Sequence, residues 1–468
     1  MVRRMTAVVL AIALMMGCAG ASVADADGYQ QYYRYISKVP DKVLGTDFHS
    51  EANGLAHDEN YWYITNNDYD DLEALWKIPV GISLYGIDEN TPGVSVVTTN
   101  EMVCPTTSGP LNLRSHLGYD HLGDLVAYEY EGQCYLLIPI ENGAPGDAMA
   151  ILRADDPQQC VGFDVLRVSA TDPSELNDAS AWLAVDREGY VYTSPNNWAR
   201  SDGVVKLLKY RLNWADLGSS VARLTYLGSI PLLDEDGEDL PQSEIAGHAQ
   251  GGEFSPDGEL LYLVSGGTEM SEDEEMHAGI HVFDTQTWRR VARSHNSEDT
   301  FFKYDFNSGW SEYDEPEGLT IWDLDEGRGS YQEPGKSPHI QGQLHVLLLQ
   351  NWVWTDPLSG HAVYIYHYTN AIHVDGSFSG SADGTIGRPY STVGDALGYY
   401  NSNEHFNYGD WTGGRIKIHA GSYPEALTFS RRVQLVPWGG QAVVGSRGRL
   451  ALAAGGAVNV EHGALRIY

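Results

Sequence analysis

The chain has 468 residues, of which 42% are hydrophobic and 11% aromatic, and it contains 51 glycines. This composition suits a large buried core of aromatic-rich strands joined by tight turns, and it argues against a disordered chain. The formal net charge of −35, from 64 acidic and 29 basic side chains, repels phosphate backbones and anionic lipid surfaces. Binding to nucleic acid is therefore excluded as the function, and electrostatic attraction to an anionic membrane surface is not expected.

The N-terminus, residues 1–26, is predicted to be a signal peptide. Two arginines precede an apolar run over residues 7–16, and small residues follow it. The run is too short to be a permanent transmembrane helix. Cleavage near residues 24–26 and lipidation of Cys18, which ends a lipobox-like sequence, both fit the pattern. We therefore expect an exported protein without a transmembrane segment, which is either secreted, periplasmic or an outer-membrane lipoprotein held by a lipid anchor.

Three cysteines remain after export: Cys104, Cys134 and Cys160. An oxidising compartment permits one disulfide among them and leaves one thiol, and the sequence does not select the pair. Their spacing matches no metal-site pattern such as Cys-x-x-Cys, so no cysteine metal centre is predicted.

One local pattern recurs between residues 51 and 366, in which a small residue is followed by an apolar strand, a tight turn and an aromatic-rich strand. The small residues, here called the anchors, are Gly54, Gly123, Ala181, Gly251 and Gly318. They are spaced by roughly 58 to 70 residues, and each interval holds further strand-like segments. Propeller repeats are commonly about 40 to 50 residues long, and longer loops account for the difference. The sequence therefore predicts an all-β protein with a β-propeller, in which five blades are favoured and six require a long loop to hide a blade.

The fifth copy of the pattern stops one strand short, after residue 366. The segment at residues 32–37 is a strand without a sheet of its own. If this first strand pairs with the last blade, the ring closes and the open strand edges are protected. We therefore assign residues 27–370 to the propeller.

Residues 371–468 have a different sequence pattern, with short apolar strands separated by glycine turns. They contain an Asp-Gly loop at residues 375–376, a Pro-Tyr-Ser-Thr-Val sequence at residues 389–393 before a short helix, and an Ala-Gly-Ser-Tyr-Pro-Glu turn at residues 420–425. These motifs resemble the opening of a pectate-lyase-like right-handed parallel β-helix. Such enzymes usually keep their active-site residues on later coils, so the resemblance implies a truncated domain with a docking, binding or spacer role.

Polar residues stand just before or at the start of the inner strands, where the strands of a propeller begin at the axial channel. Ring closure brings such residues into one axial funnel. The predicted metal ligands are Glu51, Asn53, Glu315 and Glu317, whose oxygen atoms suit Ca²⁺ or another divalent cation. The predicted catalytic groups are His121, His248 and Asp124. A structural explanation also exists, because polar residues at a channel mouth satisfy exposed strand ends and hold water.

The sequences Glu-Ala-Asn-Gly-Leu at residues 51–55 and Glu-Pro-Glu-Gly-Leu at residues 315–319 resemble secreted propellers of the gluconolactonase/strictosidine-synthase and phytase-like esterase groups. There, an acidic residue before a glycine often binds an axial metal. The third copy departs from this pattern with Ser-Ala-Trp at residues 180–182. The resemblance implies a metal-assisted hydrolase of a small ester, lactone or glycan-derived substrate, in which the cation polarises a carbonyl or activates water.

A non-catalytic protein that binds glycans or surfaces is the alternative function. Aromatic residues in loops or at strand ends would stack on sugar rings in this case, although each also has a place in a core. They are Trp198, Trp310, Trp352 and Trp354. The acidic loop at residues 234–239 lacks the spacing of a calcium loop, so we expect it to be solvated.

Overall fold

The computed structural model describes residues 33–39, 51–69, 72–84, 86–106, 109–143, 146–172, 174–177, 180–195, 203–217, 224–245, 248–266, 277–294, 314–322, 324, 342–350, 362–369, 371–402, 414–429, 432–445, 450–452, 457–460 and 465–467. The predicted signal peptide and the four loop tryptophans lie outside these residues. Within them, no helix is both long and apolar enough to cross a membrane.

The first strand, β1, is Arg34–Val39. Blade 1 consists of β2 (Ala52–His57), β3 (Tyr61–Tyr69), β4 (Leu72–Pro79) and β5 (Ser95–Thr98). A hairpin of β6 (Val103–Thr106) and β7 (Gly109–Asn112) follows. Blade 2 consists of β8 (His121–Leu122), β9 (Val126–Tyr130), β10 (Gln133–Glu141), β11 (Ala148–Arg153) and β12 (Cys160–Val165).

Blade 3 consists of β13 (Ala184–Val185), β14 (Tyr190–Thr193), β15 (Lys206–Leu212) and β16 (Leu224–Pro231). Short 3₁₀ helices lie at Trp214–Asp216 and Gln242–Glu244. Blade 4 consists of β17 (His248–Phe254), β18 (Leu260–Gly266), β19 (Gly279–Asp284) and β20 (Arg290–Arg293). Blade 5 contains β21 (Asp314–Ile321), β22 (Leu344–Gln350) and β23 (Ala362–Thr369).

Blade 5 takes its outermost strand from the other end of the chain. β1 pairs antiparallel with β23, from Arg34 opposite Thr369 to Val39 opposite Ile365. The sheet order is therefore β1-β23-β22-β21. The prediction of a five-bladed propeller closed by its N-terminal strand is confirmed.

Apolar clusters fill the spaces between adjacent blades, so most strands are buried on both faces. β18 shows the principle, because all seven of its residues are buried. Its residues Leu260, Tyr262 and Val264 pack against blade 5, whereas Leu261 and Leu263 pack against blade 3. Burial on both faces explains why these strands are continuous apolar runs and lack the polar alternation of one-sided sheets.

One disulfide joins Cys104 in β6 to Cys160 in β12, and Cys134 is the free thiol. The bond ties the β6–β7 hairpin to the outer strand of blade 2. The sequence had left this pairing open, because any two of the three cysteines were candidates.

The strands after the propeller pair in parallel. They are β24 (Ala371–Val374), β25 (Gly414–Tyr423), β26 (Leu427–Phe429), β27 (Arg432–Val444), β28 (Leu450–Leu452), β29 (Ala457–Val460) and β30 (Leu465–Ile467). The order in the main sheet is β24-β25-β27-β29, β30 also pairs with β27, and β26 pairs with β28. The predicted short helix is present as α1 (Val393–Ser402), and its residues Val393 and Leu397 pack on the core of these strands. The pectate-lyase-like assignment stays a prediction.

Candidate active site in the axial funnel

One residue on the axis, Asp124, is hydrogen-bonded to all four of the other blades. Asp124, which follows β8 in blade 2, is 0% exposed. Its carboxylate accepts backbone hydrogen bonds from Leu55 at 2.8 Å, Gly252 at 3.2 Å and Leu319 at 3.4 Å. Its own backbone N–H donates to the carbonyl of Ala181 at 2.7 Å. These partners belong to blades 1, 4, 5 and 3, so Asp124 in blade 2 contacts each of the four remaining blades.

Four of the five anchors are glycines, because Asp124 and the neighbouring backbone leave no room for a side chain there. A Cβ atom on Gly54 would lie 2.5 Å from the Asp124 Cα atom. A Cβ on Gly251 would lie 2.6 Å from Asp124 Oδ2, and a Cβ on Gly318 would lie 2.4 Å from Asp124 Oδ1. The sequence repeat that predicts the blades is thus a packing requirement of the axis.

The anchors divide the channel into two ends, because the inner strands run in the same direction around the axis. A parallel bridge between Asp124 and Trp182 reflects this direction. Residues that precede the anchors lie at one end, which we call the funnel. Its described side chains are Glu51, Asn53, His121, Gln250, Glu315 and Glu317. The side chain of His248 lies outside the described residues, so its predicted role stays a prediction.

Glu315 and Glu317 form a pair of carboxyl groups in the funnel. Glu317 is 4% exposed and is hydrogen-bonded to Glu315. Burial raises the pKa of Glu317 well above its usual value, and the charges of Glu315, Asp124 and Glu51 raise it further. These effects favour the protonated form of Glu317, whose O–H can donate to Glu315. Two neighbouring carboxyl groups in different environments are the kind of pair that acid–base catalysis uses.

Asp124 lies below this pair, at the level of the anchors. Burial raises the pKa of Asp124 well above its usual value, although the backbone N–H groups of Leu55, Leu319 and Gly252 lower it. The structure thus places this predicted catalytic residue behind the funnel surface, bonded to backbone. A catalytic role for Asp124 stays a prediction.

His121 is held between two asparagine side chains. Asn67 is fixed by the backbone of Leu122, because its Oδ1 accepts from the Leu122 N–H at 2.8 Å and its Nδ2 lies 3.1 Å from the Leu122 carbonyl. The same Nδ2 lies 3.1 Å from His121 Nδ1 and donates to it. The neutral ring consequently carries its hydrogen on Nε2.

Asn53 meets the other nitrogen of this ring. Its Nδ2 lies 3.2 Å from His121 Nε2, while its Oδ1 is buried with no hydrogen-bond partner among the described residues. Exchanging the oxygen and nitrogen atoms of this carboxamide would let Oδ1 accept from Nε2–H and would give this oxygen a partner. Burial lowers the pKa of His121, opposed by the charge of Asp120, so the ring is neutral at pH 7. Both ring nitrogens thus lie within hydrogen-bond distance of an asparagine side chain, and the predicted catalytic role of His121 stays a prediction.

The predicted metal ligands Glu51, Asn53, Glu315 and Glu317 all lie in the funnel, and their role in binding a cation stays a prediction. Among the described residues, no three His, Cys, Asp or Glu side chains are grouped to hold a metal ion. Glu317 is hydrogen-bonded to Glu315. We therefore derive no catalytic step through a metal.

A second polar cluster lies at the opposite end of the channel, past the anchors. Glu253 Oε2 accepts from the Ile321 N–H at 3.0 Å, and the Glu253 carboxyl is also bonded to the Thr320 hydroxyl. Thr320 Oγ1 is 2.8 Å from His57 Nδ1, and the His57 ring stacks on Trp322 at 4.4 Å. Burial raises the pKa of Glu253 to about 7. Sequence analysis missed this cluster, and it also missed Asn67, because no local motif marks either of them.

No protein-family model matches the chain, and no curated protein sequence matches it. A solved GH43_1 enzyme from Xanthomonas citri complexed with xylotriose is 11% identical over 69% of this chain and 88% of that chain, with a TM-score of 0.40. A GH43 endo-arabinanase from Bacillus licheniformis is 11% identical over 69% of this chain and 95% of that chain, with a TM-score of 0.32. The Swd1 β-propeller domain of Myceliophteria thermophila is 10% identical over 67% of this chain and 68% of that chain, with a TM-score of 0.27. These values are too low to assign a family, and the resemblance to gluconolactonase and phytase-like propellers stays a prediction.

Proposed function

We propose that the funnel is the active site of a hydrolase that cleaves glycosidic bonds. The observation that carries the proposal is the hydrogen bond between Glu315 and Glu317, a buried residue whose pKa is raised well above its usual value. Glycoside hydrolysis needs one carboxylic acid to protonate the leaving oxygen and a second carboxylate as base or nucleophile. In this proposal the Glu315–Glu317 pair holds the proton that goes to the leaving oxygen. Glu315 is half-buried and is the member of the pair that solvent reaches. Glu51, which is exposed, supplies the second carboxylate.

The charge of the funnel favours a glycoside over an ester or a lactone. Breaking a glycosidic bond passes through a transition state with positive, oxocarbenium-like character, which carboxylates stabilise. Hydrolysis of an ester or a lactone develops an oxyanion, which the same carboxylates would destabilise. The described side chains of the funnel include three glutamates and no lysine or arginine. A glycan-derived substrate therefore fits this centre best.

His121 is a structural member of this site in the proposal. Asn67 occupies Nδ1 of the ring, and Nε2 carries the hydrogen, so proton transfer belongs to the glutamates. We also propose that the protein acts after export. The disulfide between Cys104 and Cys160 supports this, because such bonds persist in oxidising compartments.

The test is hydrolysis by the full chain of a panel of aryl glycosides and neutral oligosaccharides, with aryl esters and lactones alongside. We expect glycosides to be cleaved, and Glu315→Gln and Glu317→Gln each to lower kcat by about 100-fold or more, since each removes a proton-transfer group. Asp236→Asn, in the exposed acidic loop, is the matched control and should leave kcat unchanged.

Other results of this panel would contradict the proposal. Cleavage of esters or lactones alone would favour the metal-assisted hydrolase, and elemental analysis of the dialysed protein would then identify the cation. In that case Glu51→Ala and Glu315→Ala should each abolish the bound ion. Binding of oligosaccharides without any cleavage would favour a non-catalytic glycan-binding protein.

A further inference from the structure

Arg34 extends from the strand that closes the propeller into the C-terminal region. It lies opposite Thr369 in the β1–β23 ladder. Its Nη1 donates to the Asp383 carbonyl at 2.6 Å, and its guanidinium carbon lies 5.2 Å from the centre of the Tyr399 ring. Asp383 follows β24 and Tyr399 belongs to α1. We call the surroundings of this guanidinium, formed by Asp383, Tyr390, Tyr399 and Tyr400, the junction.

The guanidinium is buried with part of its hydrogen-bonding capacity unused. Arg34 is 9% exposed, and its Nε and Nη2 atoms are buried with no hydrogen-bond partner in the described part of the chain. The carboxylate of Asp383 is turned elsewhere, because it pairs with Arg388 and accepts from Thr385. Buried N–H groups of a cation without acceptors are costly, so these two atoms indicate a missing acceptor.

The geometry of arginine defines what such an acceptor looks like. The N–H bonds of Nε and Nη2 lie in one plane, parallel to each other, and match the two oxygens of a carboxylate or a phosphate group. The bond from Nη1 to Asp383 fixes the rotation of the group and hence the direction of this edge. The positive charge also reaches the tyrosines of the junction, since Arg34 lowers the pKa of Tyr390 and Tyr400 against the stronger effect of burial, which raises both.

We propose that the junction is a binding site for a small oxyanion, a carboxylate or a phosphate group, held by two hydrogen bonds from Nε and Nη2 of Arg34. The site does not depend on the hydrolase activity proposed for the funnel. Because Arg34 belongs to the propeller and its other contacts belong to the C-terminal region, a bound anion stabilises the docking of one on the other.

The test is titration of the full chain with inorganic phosphate and, separately, with acetate. Calorimetry measures the binding, and thermal unfolding measures its effect on stability. Sodium chloride keeps the ionic strength constant, because chloride lacks two oxygens for the arginine edge. We expect saturable binding of at least one oxyanion with a rise in Tm. Arg34→Gln should weaken that binding by about tenfold or more, as expected when a charge-assisted bidentate pair is lost.

Two further variants separate this site from general salt effects, since phosphate stabilises many proteins by exclusion from their surface. Arg187→Gln removes an exposed arginine that pairs with Glu188 and should bind the oxyanion like the unmodified chain. Arg34→Lys keeps the charge without the parallel N–H edge, and should bind weakly even if Arg34→Gln fails to fold. Equal binding by the Arg34 variants and the unmodified chain, or no binding by the unmodified chain, would overturn the proposal. The stronger of the two ligands identifies the group as a carboxylate or a phosphate.

Discussion

At the scale of single residues, Glu253 has a pKa close to the pH at which many proteins function. Burial raises its pKa from 4.5 to about 7, while the hydrogen bonds from Thr320 and Ile321 lower it. The folded protein therefore binds a proton more tightly than the unfolded chain. The stability that this proton contributes is complete below pH 4.5 and is lost as the pH rises through 7.

We expect the free energy of unfolding to fall between pH 5 and pH 8, and Glu253→Gln to make this fall smaller. Glutamine still accepts the two hydrogen bonds but does not ionise. Asp124 and Glu317, whose pKa values are also raised, act in the same direction, so part of the slope should remain. Denaturant unfolding across this range is the measurement, with the exposed Glu259→Gln as the control. An unchanged slope in Glu253→Gln would contradict the assignment.

The ring of His121 is expected to be neutral with its hydrogen on Nε2 at pH 7, because burial lowers its pKa and Asn67 donates to Nδ1. Nitrogen NMR of histidine-labelled protein measures this tautomer, and His121→Gln assigns the signal. Asn67→Asp should accept a hydrogen bond from Nδ1–H, move the hydrogen to Nδ1 and raise the pKa. A ring that already carries its hydrogen on Nδ1 in the unmodified chain would disprove the arrangement.

At the scale of elements, the inner strands depend on the glycine anchors. Gly318→Ala places a Cβ 2.4 Å from Asp124 Oδ1 and 2.9 Å from the Leu55 nitrogen, so we expect a loss of about 1–3 kcal/mol in unfolding free energy from overpacking. Gly398→Ala is the matched control. It lies in α1 with no atom within 4 Å of the new Cβ, and alanine favours helices by up to about 1 kcal/mol. Thermal unfolding of both variants should show opposite shifts, and equal shifts would contradict the packing argument.

The turns between the first two strands of blades 1 and 3 show which contacts a local sequence pattern can predict. Asp58 accepts from the backbone of Tyr61 at 2.9 Å and from the Tyr63 hydroxyl at 2.6 Å. Asp186 accepts from the backbone of Tyr190 at 2.9 Å and the Tyr192 hydroxyl at 2.9 Å in the same way. These contacts span only a few residues, so the sequence pattern contains them and the hairpins are predictable.

At the scale of the molecule, the blade count and ring closure were predictable because the glycine anchors recur for a packing reason. The network of Asp124 was not, since its partners Leu55, Gly252 and Leu319 are 69, 128 and 195 residues away. Such distances leave no local pattern. For the same reason, sequence reasoning placed polar side chains at the funnel but did not find the hydrogen bond between Glu315 and Glu317 or the pKa shift that burial causes.

The pairing of β1 with β23 also determines the order in which the molecule can assemble. Blades 1 to 4 consist of strands that neighbour each other in the chain, so each can form from local hairpins soon after its own residues emerge. Blade 5 cannot form in this way, because Arg34 pairs with Thr369, which is synthesised much later. Closing the long loop between these two residues is slow. The ring of a nascent chain is therefore open for most of its synthesis. Until β1 pairs with β23 in a late step, the unpaired edges of both strands are exposed to wrong partners.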